Sequence, residues 1–153
     1  EKESYGLVDI EKLRDQLKRD EGCVKAVYLD HLNIPSCAIG HMITEWDEEY
    51  GKPVGTPISD HRVNELFDQD VQVTIDECKV LFDDFDDLPE EAKQVIANLM
   101  FNMGRPRLSK FVKFREAVRN RDWVESGRQL KESRYYTQVT ARADRLIKRL
   151  ELI

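Results

Sequence analysis

The chain is short of cysteine, of positive charge and of long apolar runs, and each shortage closes off a class of protein. Cys23, Cys37 and Cys78 are its three cysteines in 153 residues. Widely spaced thiols make no zinc-ligand pattern, and an odd count argues against a complete disulfide framework. Free thiols buried as small hydrophobic side chains are expected, with a Cys23–Cys37 bridge as the lesser alternative. No apolar run approaches the roughly 20 residues of a membrane span, so no membrane partner is expected. His31, His41 and His61 do not gather with other ligand residues, so no metal and no other cofactor is expected. No secretory leader is visible and the chain begins with Glu1, which leaves both a secreted and a cytoplasmic setting open.

The net charge is −6, from 24 basic and 30 acidic side chains. Global acidity disfavours a nucleic-acid partner, because clustered positive charge supplies most of that affinity. The charge is also lopsided. Residues 1–90 carry 9 basic and 23 acidic side chains, and residues 91–153 carry 15 and 7. Two solvated surfaces of opposite sign would produce this, and so would a field focused across a cleft. Apolar content of 41% with 35% charged residues fits one globular domain with a sizeable core.

Periodicity supplies the elements. Asp9 can cap a helix on which Ile10, Leu13 and Leu17 share a face, and Gly22 suits its end. "CVKAVYLD" alternates like a strand, "HLNIPS" reads as a turn and "CAIGHMI" as a second strand. Together they predict a small hairpin or meander over 23–43. Thr44 resembles a cap for a short acidic helix, "EWDEEY", followed by a loop, "GKPVGTP". Ser59 can cap a long helix from Asp60 to about Phe82, with Val63, Leu66, Phe67, Val71 and Ile75 on its buried stripe. From Pro89 onward the pattern is helical almost throughout, with "LSKFVKFREAVRN" and "YYTQVTARADRLIKRLEL" each reading as one helix. The expected class is α+β, mostly α, with a small β lobe, a bridging helix and a larger helical lobe.

Two carboxylates flank the first helix-to-strand turn. Glu21 sits in the last turn of its helix, where the negative end of the dipole favours the protonated form that a general acid needs. Asp30 closes the strand, where solvent keeps it ionised. Carboxyl groups in contrasting environments are a signature of glycoside hydrolysis. Ser36 opens the returning strand, so its hydroxyl could share a water with Asp30.

"LKRDEGCVKAVYLD", the step from Asp30 to "IGH" at Ile39–His41, "LFDQDV" at Leu66–Val71, "LMFNMG" at Leu99–Gly104 and "SRYYTQVTARADR" at Ser133–Arg145 occur in the order of the T-even phage lysozymes, which the chain resembles as a divergent member. The resemblance implies one phage-type lysozyme domain over 1–153. Its β lobe would cover about 20–60 and its bridging helix about 60–82. The helical lobe would be about 88–153, together with the first helix, about 9–21. It also implies a muramidase that cleaves peptidoglycan by single displacement with inversion. Glu21 falls on the family's general acid, Asp30 on its second carboxylate, and Ser36 on a hydroxyl that is usually Thr. Arg142 falls on an arginine that pairs with the acid and favours its ionised form, opposing the dipole. Met42 and Phe101 fall on positions that line the family's cleft. Phe114 and Gln129 fall on cleft positions that usually hold small polar residues. His41 is implied to form a structural ion pair with Asp70 rather than to act in catalysis. Ala38 replaces the first glycine of the family's "GIG". The implied partner is the peptidoglycan glycan strand, met by a monomer. A phage source would mean host lysis from the host cytoplasm or periplasm, and an animal source secretion for defence or digestion. The altered Ser36, Ala38, Phe114 and Gln129 also admit a weakened peptidoglycan-binding or scaffold domain, and a chitin-directed glycosidase would use the same acid chemistry.

Overall fold

The computed structural model describes residues 8–153, so residues 1–7 of the expected domain lie outside the described residues. It is mostly helical with one small antiparallel sheet, the expected α+β class. The described residues fall into two compact units, one of residues up to Ile10 with Thr74–Ile153, the other Glu11–Val73.

The Glu11–Val73 unit holds nearly all of helix α1 (Ile10–Glu21), then strands β1 (Val24–Leu29), β2 (Pro35–Ala38) and β3 (His41–Met42), and the first half of helix α2 (Asp60–Leu81). Leu13 and Leu17, one helical turn apart, bury α1. Gly22, at φ +80°, ends the helix by returning its amide to Lys18 O at 2.8 Å. The first helix, which the resemblance groups with the helical lobe, lies from Glu11 onward in the same compact unit as the sheet. Its Arg14 reaches α2, donating to Asn64 at 2.8 Å and Asp68 at 3.1 Å and lying 4.5 Å over the Phe67 ring.

The sheet order is β1-β2-β3. Tyr28 faces Ser36 and Leu29 faces Pro35 across β1 and β2, and Cys37 faces His41 across β2 and β3. The outer side of β1 is covered by residues 55–58, with Val27 N donating to Thr56 O at 2.9 Å and Ile58 N to Lys25 O at 2.9 Å. "CAIGHMI" is therefore two strands, not one. Pairing of Cys37 with His41 leaves Ala38, Ile39 and Gly40 to turn, and Ala38 and Gly40 do so at positive φ, +56° and +61°. "EWDEEY" is a run of turns rather than a helix. The Asp47 carboxylate accepts from Thr44 N at 2.8 Å and from His41 Nε2 at 2.7 Å, which holds the chain out of a regular spiral. Buried Glu49 then fastens this loop to α2 by accepting from Arg62 Nε and Nη2 at 2.8 and 2.9 Å.

α2 begins where predicted, with Ser59 Oγ accepting from Arg62 N at 3.1 Å. Val63, Leu66, Phe67, Val71 and Ile75 are its buried stripe. The second unit is built on α3 (Glu90–Met103), buried continuously from Ala92 to Met100. Around it lie α4 (Arg105–Leu108), α5 (Val112–Arg119), α6 (Trp123–Lys131), α7 (Arg134–Gln138) and α8 (Thr140–Glu151). "LSKFVKFREAVRN" is thus broken by a turn at 109–111. "YYTQVTARADRLIKRLEL" is broken at Val139, whose φ −137° and ψ 57° are not helical. The three cysteines are free; Cys37 and Cys78 are buried as expected, while Cys23 is exposed. No helix among the described residues is long and apolar enough to cross a membrane.

Ser59→Ala removes the α2 cap and is expected to cost about 1 kcal/mol in urea denaturation, with an unchanged slope.

Candidate active site

Asp30 and Ser36 are joined through one residue. Past the end of β1 the chain turns back, and Asp30 Oδ1 accepts from Leu32 N at 2.8 Å and from Ile34 N at 2.9 Å. The backbone adds Asp30 N to Ile34 O at 3.0 Å and Asn33 N to Asp30 O at 2.9 Å. Asn33 meets the turn's demand for positive φ, +63°. Ser36 is buried, and its hydroxyl donates to Ile34 O at 3.1 Å. Ile34 therefore offers its amide to the acid and its carbonyl to the hydroxyl. The Ile34 amide above all holds the Asp30 carboxyl below its ordinary value, with burial opposing it and the Leu32 amide and the charge of His31 assisting. Asp30 Oδ2 carries no hydrogen bond from the described residues.

Glu21 ends α1, half-buried, against Gly40 of the β2–β3 turn. Tyr28 lies within electrostatic reach of both acids: burial raises its phenol first, and the charges of Glu21 and Asp30 raise it further. Tyr28 and Asp30 are two residues apart, hence on one face of the strand line. That spacing was a signal available in the sequence, but Tyr28 read only as a strand former.

His41 lies between two carboxylates, with Nδ1 2.7 Å from Asp70 Oδ2 and Nε2 2.7 Å from Asp47 Oδ2. Asp47 was missed, since it sat inside a stretch that read as helix. Burial opposes charge on the imidazole, but the hydrogen bonds and charges of Asp70 and Asp47 override it and lift its pKa to about 9. The Asp47 carboxyl is held low by Thr44 N and His41 despite burial.

The remaining expected site residues are placed as follows. Met42 is exposed on β3, and Phe101 is half-buried on α3. Arg142, on α8, is buried and donates to Asn98 Oδ1 from Nε at 2.9 Å and Nη2 at 2.7 Å. Asn98 stands on α3, fully buried, and was not picked out from the sequence. Phe114 of α5 is 1% exposed, so most of its ring is core. Its edge and Gln129 line one pocket of about 540 Å³, with Phe111 and Tyr135 and the cations Lys110 and Arg134 at hand. Gln129 Nε2 donates to Glu125 at 2.7 Å. No group of three or more His, Cys, Asp and Glu among the described residues could hold a metal ion.

Two carboxylic acids on one helix–turn–strand unit, one of them favoured as the anion by two backbone amides, can serve as acid and base. A family model for phage lysozyme matches residues 18–150, and the chain belongs to that family. That makes it a lysozyme-like glycoside hydrolase by kind. It is 29% identical over 157 aligned residues to probable T4-type lysozyme 2 of Dictyostelium discoideum, covering 90% of this chain and 92% of the relative. Probable T4-type lysozyme 1 of the same organism is 25% identical over 161, covering 93% and 95%. The pre-baseplate central spike protein Gp5 of Enterobacteria phage T4 is 24% identical over 152, covering 88% of this chain and 26% of that protein.

The His41 cluster sets a pH window. A histidine raised by its partners stabilises fully below its unfolded value and ceases to as pH rises through its folded value. His41→Gln is expected to cost about 3 kcal/mol near pH 6. In thermal denaturation the gap to wild type should hold up to about pH 6.5 and shrink as pH rises through about 9.

Proposed function

We propose that this protein is a muramidase that hydrolyses the β-1,4 bond between N-acetylmuramic acid and N-acetylglucosamine in peptidoglycan, with inversion, and so breaks down bacterial walls. The observation that carries the reading is the Asp30–Ile34–Ser36 arrangement. The Ser36 proton is already given to Ile34 O, so the hydroxyl can meet a water only as acceptor. Asp30 Oδ2 is an acceptor too. A water bridging them spends both O–H bonds on protein, and its remaining lone pairs are free to attack the anomeric carbon. As the C–O bond forms, the water's proton passes to Asp30.

Glu21 is the proton donor to the leaving glycosidic oxygen in this proposal, and the family resemblance alone supports Arg142 as the cation that pairs with it. Inversion requires the water on the face opposite the leaving group, so the carboxyl groups should stand roughly 6.5–9.5 Å apart. Met42, Phe101 and Gln129 are proposed to contact the glycan, while Phe114, 1% exposed, has almost no surface left for it and backs the pocket as core.

The test is hydrolysis of purified peptidoglycan followed by turbidity and by proton NMR of the new reducing end. Wild type should clear the suspension and release the α anomer first, while Glu21→Gln should lose at least about 100-fold in rate. Equal clearing by both proteins would contradict the role given to Glu21. A first-formed β anomer would contradict inversion, and no clearing by wild type would contradict the muramidase reading.

A further inference from the structure

Gly40 is set apart from the other glycines of its unit by what lies against it. A Cβ built on Gly40 would stand 3.1 Å from Glu21 Cβ, 3.1 Å from Glu21 Oε1 and 3.2 Å from Glu21 Cγ. The Glu21 side chain therefore runs along the bare α-carbon of the β2–β3 turn, in space that any other residue would occupy. Gly22, Gly51 and Gly55 also have positive φ, +80°, +77° and +94°, but a Cβ on any of them would meet nothing within 4 Å. Their lack of a side chain answers to backbone conformation alone. At Gly40, with φ +61°, it answers to conformation and to contact with a carboxyl group.

The surface under Glu21 is also firm. Ala38 and Ile39, just before Gly40, are each 1% exposed. His41, just after it, pairs with Cys37 across the turn and is held by Asp47 and Asp70 at 2.7 Å each. All three atoms that an added methyl would crowd belong to the Glu21 side chain, so it is the glutamate that must shift by a few tenths of an ångström.

We propose that Gly40 is a positioning residue for Glu21: its bare α-carbon forms the wall that sets the direction in which the carboxyl group points. This rests on the reading of Glu21 as proton donor. Proton transfer in a glycosidic transition state depends steeply on that direction, and displacement by a few tenths of an ångström to an ångström is costly.

The test compares Gly40→Ala with Gly51→Ala, which incurs similar backbone strain without touching Glu21. Both are measured for kcat and KM on soluble peptidoglycan fragments, and for the side-chain carboxyl 13C resonance of Glu21 at fixed pH. Gly40→Ala should lower kcat on the order of 10- to 100-fold with KM within about twofold, and should move the Glu21 resonance. Gly51→Ala should leave all three as in wild type. Equal kcat and an unmoved resonance in Gly40→Ala would overturn the proposal. If Gly40→Ala does not fold, Gly40→Asn places the same Cβ in a residue that tolerates positive φ, and the same outcomes apply. If wild type hydrolyses nothing, the muramidase reading fails by itself. The resonance then decides the positioning claim: movement in Gly40→Ala alone supports it, and no movement overturns it.

Discussion

The turn from Asp30 to Ile34 is the constraint on which the β-lobe site depends. One carboxylate oxygen takes two backbone amides, from Leu32 and Ile34, and so closes the turn where the chain reverses. The same interactions fix the register in which Tyr28 faces Ser36. Loss of that carboxylate would free two amides and loosen the start of β2, so the acid proposed as the base also has a structural part. Ile34 closes the arrangement through its carbonyl, which takes the Ser36 proton and leaves that hydroxyl an acceptor. What remains is one oxygen of Asp30 and, on buried Ser36, a hydroxyl whose proton is already committed to Ile34 O.

A second layer holds the wall facing Glu21. His41, doubly bonded to carboxylates from the 44–50 turns and from α2, ties the β2–β3 connection to two other segments of its unit. Arg62 and buried Glu49 repeat the device a few residues away. Buried ion pairs are costly unless fully bonded, and these are bonded on several sides. They fix a sheet of three short strands, the last only two residues long. In the helical unit buried cations are met by neutral acceptors, the Arg142 guanidinium by Asn98 and the Lys93 ammonium by Asp86 O at 3.1 Å.

Much of this was legible before any coordinates. Glu21 before Gly22, Asp30 at a strand end, the Ser59 cap and the α2 stripe all follow from local rules that operate within a few residues. The misreadings have one origin: the helix or strand pattern is overridden by polar side chains three to six residues away or by breaks at residue types that carry no turn signal. "CAIGHMI" offers no turn signal at Ala38, yet Ala38 adopts the left-handed conformation usually left to glycine. "EWDEEY" has helical composition, but His41 and Thr44 recruit Asp47. Val139 breaks a helix with neither glycine nor proline. The family resemblance supplied roles that spacing alone could not, including Arg142, and said nothing of Asn98, Tyr28 or the contact between Gly40 and Glu21.

Among all measurements, the titration of Asp30 by carboxyl 13C NMR reaches the central claim most directly. A carboxylate fixed by the Leu32 and Ile34 amides should titrate clearly below the ordinary aspartate value of about 3.9. Its signal should lose that displacement when the turn is opened by Ile34→Pro, which removes one of the two donors. An Asp30 that titrates at or above the ordinary value in the wild-type protein would contradict the account.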